Sequence, residues 1–289
     1  MANVAILSST TFQNSAQDGW FKSKMPAGTV YTYFNADGDY ETNSTGKLKQ
    51  VAANIPNSVN VIVTVGGLVA AEAAANLKKN SLPNTVFFSI LGGRPKKNSA
   101  LLTRPTQNIP LIGGIDLDTP NHNSERVALL QQYFPTAVTD PTKICLYCNG
   151  NSHMADDEME DWEFHMGAKD LVSSVKQQGG YNAQQFKDDF NTFGQIQAVV
   201  VSSDPFFASK AADLIAAATA WNKPVCYPTE FYSGAQATTS LIYGPGLKAA
   251  FEALGTKVSK YISAPAGFMS VDKQPQSLLM QPLKSKHGK

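Results

Sequence analysis

Short runs of β-branched and aromatic residues alternate with helical patterns along almost the whole chain, and this alternation most restricts what the chain can fold into. Strands are expected at Val4–Leu7, Val30–Phe34, Val61–Val65, Thr85–Ile90 and Leu111–Ile115, then at Lys143–Tyr147, Leu171–Val175, Ala198–Val201 and Pro224–Tyr227. Between them fall helical patterns at Ser44–Ala53, Val69–Lys79, Glu125–Tyr133, Ala155–Met166, Ala183–Phe193, Pro205–Asn222 and Leu247–Tyr261. Near-continuous apolar strands followed by amphipathic helices are the signature of βαβ units and parallel sheets buried on both faces. The pattern therefore predicts an α/β chain.

The two series of strands look alike. Each opens with a strand that ends in small polar residues, "VAILSSTTF" in the first and "ICLYCNGNSHM" in the second. A length of 289 residues suits two such units. The expectation is two doubly wound parallel-sheet lobes, residues 1–114 with 241–265 and residues 115–240 with 266–289, with crossings near Gly114, Ser240 and Ala266. In open parallel sheets, ligands bind at the carboxyl ends of the strands, where loop amides and helix starts converge.

Composition removes several function classes. A net charge of +1 gives no field to attract nucleic acid or an anionic membrane, and the closing lysines of "LKSKHGK" read as a solvated tail. No apolar run approaches the roughly 20 residues that cross a bilayer. The opening "MANVAILSST" lacks a basic n-region and reads as a first strand, so the expected location is periplasmic or extracytoplasmic if a leader has been removed and cytoplasmic otherwise. Three cysteines make no disulfide framework. Cys145 and Cys148 form a CxxC, but strand alternation sends them to opposite faces, so buried structural thiols are expected.

At "AVVVSSDPFFASKAADLIAAA" a β-branched run ends in two serines, Asp204-Pro205 and two phenylalanines. Asp204 suits a helix N-cap and Pro205 the first helical position. Capping alone leaves Phe206 and Phe207 unexplained, because only one ring can share a helical face with Leu214, Ile215 and Trp221. The other is expected to point elsewhere, into a cleft.

These residues carry a resemblance. "AVVVSSDPFFASKAADLIAAATAWNKPVCYPTEFYSGAQATTSLIYGPGL" resembles the substrate-binding proteins of ABC transporters that include the tryptophan- and tyrosine-type binders, with their D-P-F-F-like turn, their P-x-x-Y-P-x-x-E-F segment and their Y-G-P. "VNVIVTVGGLVAAEAA", "IPLIGGIDLD" and "YCNGNSHM" are similar to further pieces of those proteins in the same order, whereas "SILGGRP" replaces their D-P turn. The resemblance implies the type I periplasmic-binding-protein fold and a small ligand held between two lobes that close by hinge bending. It also implies an ABC permease as partner and no chemistry performed.

Candidate ligand-binding residues on the first lobe are Ser8, Ser9, Thr10 and Phe12, then Gly66, Gly67 and Leu68, with Ser89, Gly92 and Gly93 on the same rim. Hydroxyls and backbone N–H groups there suit a carboxylate, or they serve only as caps and turns. On the second lobe the candidates are Asn149, Asn151 and Ser152, then Ser203, Asp204 and Phe206, then Glu230 and Phe231. Asp204 and Glu230 are either acidic partners for an ammonium group or, respectively, a cap and a surface residue. Phe12, Phe206 and Phe231 either sandwich a flat apolar group or belong to the core.

The acidic run "ADDEMED" reads as a solvated helix start placed by the helix dipole, and no metal site or cofactor is expected. Racemisation by Cys148 and Cys226 as acid and base is a weaker reading, and a dinucleotide site lacks its third glycine. The expectation is a solute-binding protein, not an enzyme, that captures an amino acid or an aromatic or carboxylate compound as a monomer or weak dimer. A cytosolic sensor with the same fold is the alternative.

Overall fold

The computed structural model describes residues 2–9, 11–36, 47–66, 70, 74, 86–91, 111–117, 122–149, 153–166, 172–175, 182–234, 238–265 and 271–280. The chain divides into two compact units, Met1–Asp118 with Leu247–Gln274, and Thr119–Gly246 with Pro275–Lys289. The chain therefore passes from one unit to the other after Asp118, Gly246 and Gln274.

Unit 1 is built on a six-stranded sheet. Its strands are β1 (Asn3–Ser8), β2 (Val30–Asn35), β3 (Val61–Val65), β4 (Val86–Leu91), β5 (Leu111–Asp116) and β11 (Val271–Lys273), in the spatial order β11-β5-β4-β3-β1-β2. Every pairing in it is parallel. Alternation along β1 sends Val4 and Ile6 into one core with Val63, Phe88 and Leu254, and Ala5 and Leu7 into another with Ile62 and Phe87. Both faces of the strand are thereby covered, which is why it reads as a continuous apolar run.

The first of these faces carries α1 (Ala16–Lys22) and α8 (Leu247–Ser263). Ser15 caps α1 by accepting the Asp18 N–H, and Gly255 lets α8 approach α1 closely. A Cβ at position 255 would stand 2.4 Å from the Phe21 carbonyl oxygen. Only glycine fits that contact. The second face carries α2 (Lys47–Ala52), whose Leu48 and Ala52 are buried.

Unit 2 repeats the plan. Its strands β6 (Ile144–Asn149), β7 (Val172–Val175), β8 (Ala198–Val201), β9 (Val225–Tyr227), β10 (Ser240–Pro245) and β12 (Gln276–Met280) lie in the order β12-β10-β9-β8-β6-β7. All are parallel except β12, which pairs antiparallel with β10. Its described helices are α3 (Asn123–Tyr133), α4 (His153–Met166), α5 (Ala183–Thr192), α6 (Pro205–Ser209) and α7 (Ala211–Trp221).

One face of β6, β8 and β9 packs Leu146, Cys148, Val200 and Cys226 against Val127, Leu130 and Trp162. On the other face Tyr147 anchors an aromatic cluster. Its ring lies 5.0 Å from Phe207, 5.5 Å from Phe190 and 5.7 Å from Phe193, and Phe190 stacks on Trp221. Each such pair adds about 0.5–1.5 kcal/mol beyond area burial.

The single helix expected over Pro205–Asn222 is two, because Lys210 leaves helical geometry with φ −111° and ψ 20°. The second of them ends on Asn222 in the left-handed region, where the asparagine serves as a helix stop. Strand β10 is absent from the sequence expectation, which places a lobe crossing at its first residue. Leu241 and Ile242 are nonetheless fully buried beside β9.

Candidate functional site

Leaving out the edge strands β11 and β12, each sheet shows the same reversal of order. In unit 1 the chain runs from β1 outward to β2 on one side and to β3, β4 and β5 on the other. In unit 2 it runs from β6 to β7 on one side and to β8, β9 and β10 on the other. The carboxyl ends of β1 and β3, and of β6 and β8, are therefore the switch points at which open α/β sheets bind ligands.

The unit 1 switch point holds three of the candidates. Ser8 closes β1 and Ser9 follows it, both buried, and the Ser9 N–H donates to the Val65 carbonyl at 3.0 Å, joining the ends of β1 and β3. Gly66 follows β3 with φ +130°, and a Cβ there would lie 1.9 Å from the Ser9 Oγ. The Ser9 hydroxyl is fully buried and has no hydrogen-bond partner among the described residues. An unpaired buried hydroxyl costs about 1–3 kcal/mol.

Other unit 1 candidates have different surroundings. Phe12 lies in the core, its ring 5.5 Å from that of Phe251. Ser89 sits inside β4, where its Oγ accepts from Thr64 at 2.7 Å and donates to the Ile90 carbonyl at 3.3 Å. Thr10, Gly67, Leu68, Gly92 and Gly93 lie outside the described residues.

At the unit 2 switch point, Asn149 closes β6 and is buried, and the Ser202 N–H donates to the Tyr147 carbonyl at 2.9 Å. Asn151 and Ser152 lie outside the described residues. Asp204 is an N-cap: its Oδ1 accepts the Phe206 N–H at 2.7 Å, and its own N–H donates to the Ser202 Oγ. Both rings of the Phe206-Phe207 pair are buried, with Phe207 in the Tyr147 cluster and Phe206 5.4 Å from it. Glu230 opens a short 3-10 turn (Glu230–Tyr232) and is half-buried, and Phe231 is exposed.

Sequence reasoning missed Glu158. The "ADDEMED" run is not solvated throughout, since Glu158 and Asp161 are both buried. Glu158 Oε1 accepts the backbone N–H of Ser203 at 2.8 Å and its hydroxyl at 2.5 Å. Burial pushes this carboxyl above the usual range, against the opposing pull of Arg126 and the two serines. The signal was the spacing: Glu158 lies one helical turn before the fully buried Trp162 and shares its stripe. Thr229 was missed as well, and its buried Oγ1 has no partner among the described residues.

Cys148 and Cys226 are fully buried, and burial pushes the Cys226 thiol up to about 12. Such a thiol is a poor acid or base near neutrality. Among the described residues there is no group of His, Cys, Asp and Glu that could hold a metal ion, and no helix long and apolar enough to cross a membrane.

No protein-family model matches the chain, and no curated protein matches it. Solved structures do. An ABC domain from Streptococcus pneumonia in complex with L-Trp superposes with a TM-score of 0.69 at 14% identity, over 93% of this chain and 88% of that one. An ABC transporter solute binding protein from Agrobacterium vitis with bound D-fucose gives 0.63 at 9%, over 99% and 98%. The transcription regulator CcpA of Lactococcus lactis gives 0.64 at 13%, over 98% of each chain. At such identities the likeness speaks to architecture, and with two sheets of matching strand order the conclusion is that this chain has the type I periplasmic-binding-protein fold.

Proposed function

We propose that this chain is a solute-binding protein that captures a small polar ligand, an amino acid or an aromatic or carboxylate compound, for an ABC importer. The observation that carries the reading is the Ser9 hydroxyl, buried and without a partner among the described residues, at a switch point beside Gly66, where a Cβ would overlap it. A ligand oxygen or nitrogen would supply the missing partner. Ser8, Ser9, Thr10, Gly66, Gly67 and Leu68 serve on unit 1, and Asn149, Asn151, Ser152, Ser203, Asp204 and Glu230 on unit 2. The L-Trp and D-fucose carried by structural neighbours support a small polar ligand.

Phe12 and Ser89 act through the fold, because their ring and hydroxyl already have partners. The test is native mass spectrometry of the purified chain, with analysis of whatever the denatured protein releases, followed by calorimetry with L-tryptophan, the other amino acids and D-fucose. A stoichiometric ligand whose binding is lost in Ser9→Ala supports the reading. An empty chain that takes up none of the panel overturns it.

A second reading, a ligand sensor acting on a regulatory partner, is favoured by the regulator CcpA among the neighbours. ATPase stimulation of a co-purified permease supports the importer, and ligand-dependent capture of a non-membrane partner supports the sensor.

A further inference from the structure

The turn at residues 202–204 is held from outside its own strand and helix. Glu158 on α4 takes both donors of Ser203, the N–H at 2.8 Å and the hydroxyl at 2.5 Å, on one carboxyl oxygen. Behind Glu158 stands a polar layer contributed by α3. The Asn123 side chain donates to the Glu158 carbonyl at 3.3 Å, and the Asn123 N–H donates to Asp161 at 3.4 Å. Fully buried Arg126 donates to Asn123 Oδ1 at 3.2 Å and to the Tyr243 carbonyl on β10 at 3.4 Å. Helices α3 and α4 and strand β10 are thus tied to one turn through buried and partly buried polar groups.

From this juxtaposition, and resting on the solute-binding reading above, we propose that Glu158 is a positioning residue for the ligand-binding turn. It orients Ser203 so that this serine meets the ligand as a hydrogen-bond acceptor. A serine hydroxyl has one proton, and here that proton points at Glu158. What Ser203 can still offer is a lone pair. The ligand group that reaches it is therefore a donor, an ammonium or a hydroxyl, and not a carboxylate. Asp204 has the same bias, since a carboxylate only accepts. The turn accordingly selects the donor end of a ligand.

The experiment has a ligand-free arm and a binding arm. In the first, amide hydrogen exchange is followed by NMR for Ser203, with Val199 and Val200 as references for the intact sheet. In the wild type the Ser203 amide exchanges slowly although it lies outside regular structure, and a fast wild-type amide overturns the proposal with no variant needed. Glu158→Ala removes the acceptor and speeds Ser203 exchange about tenfold or more with Val199 and Val200 still protected. Glu158→Gln keeps an acceptor oxygen and restores the protection. A role in stability alone would instead make all three amides track the global stability of each variant.

In the second arm, L-tryptophan and its deaminated analogue indole-3-propionate are titrated by calorimetry into the wild type and both variants. Glu158→Ala weakens L-tryptophan about tenfold through lost preorganisation, and Glu158→Gln does not. The analogue, lacking the ammonium, binds the wild type more weakly. Equal binding of the two compounds overturns the acceptor assignment. If neither compound binds, the solute-binding reading fails for this ligand class, while the exchange arm still decides whether Glu158 positions the turn.

Discussion

Replacing Gly66 by alanine is the sharpest test of the unit 1 switch point. Two separate penalties apply. A non-glycine residue at φ +130° is strained by roughly 1–3 kcal/mol. The new Cβ would also lie 1.9 Å from Ser9 Oγ and 2.7 Å from Ser9 Cβ, an overlap that repacking relieves at roughly 1–3 kcal/mol. The expected loss is therefore about 2–6 kcal/mol, a large share of the roughly 5–15 kcal/mol that keeps a domain folded. The two penalties separate in a double-mutant cycle with Ser9→Gly, which removes both overlapping atoms and leaves the nearest remaining contact at 3.1 Å. The coupling energy should equal the steric part, about 1–3 kcal/mol, with Ser9→Gly rescuing Gly66→Ala.

Urea unfolding of fluorotryptophan-labelled protein, read by fluorine NMR, assigns the loss to a unit, since Trp20 belongs to unit 1 and Trp162 and Trp221 to unit 2. Gly66→Ala within about 0.5 kcal/mol of wild type, or an unchanged loss in the Ser9→Gly background, would refute the geometry on which the candidate site rests. Within the same series, Ser9→Ala should leave stability unchanged or raise it by about 1 kcal/mol, since it deletes a buried hydroxyl with no partner among the described residues.

Further tests reach other parts of the molecule. Buried Asp18 accepts from Tyr33 at 2.8 Å, from Lys22 at 2.8 Å and from the Asn14 N–H at 3.0 Å, so Asp18→Asn should destabilise unit 1 by about 2–3 kcal/mol in urea unfolding. Burial and then Asp18 push the Tyr33 phenol up to about 12, against the pull of Lys22. That stabilisation is complete below pH 10 and is lost as pH rises through about 12, so ultraviolet titration should find Tyr33 still protonated where free tyrosine ionises. For Glu158 the folded carboxyl sits above its ordinary 4.5, so ionisation disfavours the fold as pH rises through the shifted value. The stability difference between Glu158→Gln and wild type should therefore move in favour of the variant between acid and neutral pH, and a flat difference would mean that the carboxyl is not buried. Asp204→Ala should cost about 1 kcal/mol as a lost cap, with Asp204→Asn recovering most of it in thermal unfolding.

Much of this architecture is legible in the residues themselves. Period and β-branching place β1, β3, β6 and β8, because strands covered on both faces are nearly all apolar. Asp204-Pro205 announces a helix start for the same local reason. Ser8, Ser9, Gly66, Asn149 and Ser203 could be nominated because a small polar residue after a buried strand is a local pattern. Strand β10 escaped notice, since "SLIYGP" ends in residues that usually signal a turn, and only its pairing with β9 and β12 makes it a strand. The edge strands β11 and β12 were invisible for the same cause: they are strands by virtue of their neighbours.

The character of the candidate site was decided in three dimensions. No local pattern tells which of two adjacent phenylalanines is buried, and here both are, because Tyr147 and its aromatic neighbours accommodate a second ring. Nor does sequence reveal that the Ser9 hydroxyl lacks a partner among the described residues while the Ser203 hydroxyl has one, since that depends on whether a carboxylate from a distant helix arrives beside it. Residue order determined the parallel sheets and the rims where small polar groups would gather. Tertiary packing alone decided which of those groups are hydrogen-bonded to one another, because a hydrogen bond between residues 158 and 203 exists only once helix and sheet have closed on each other.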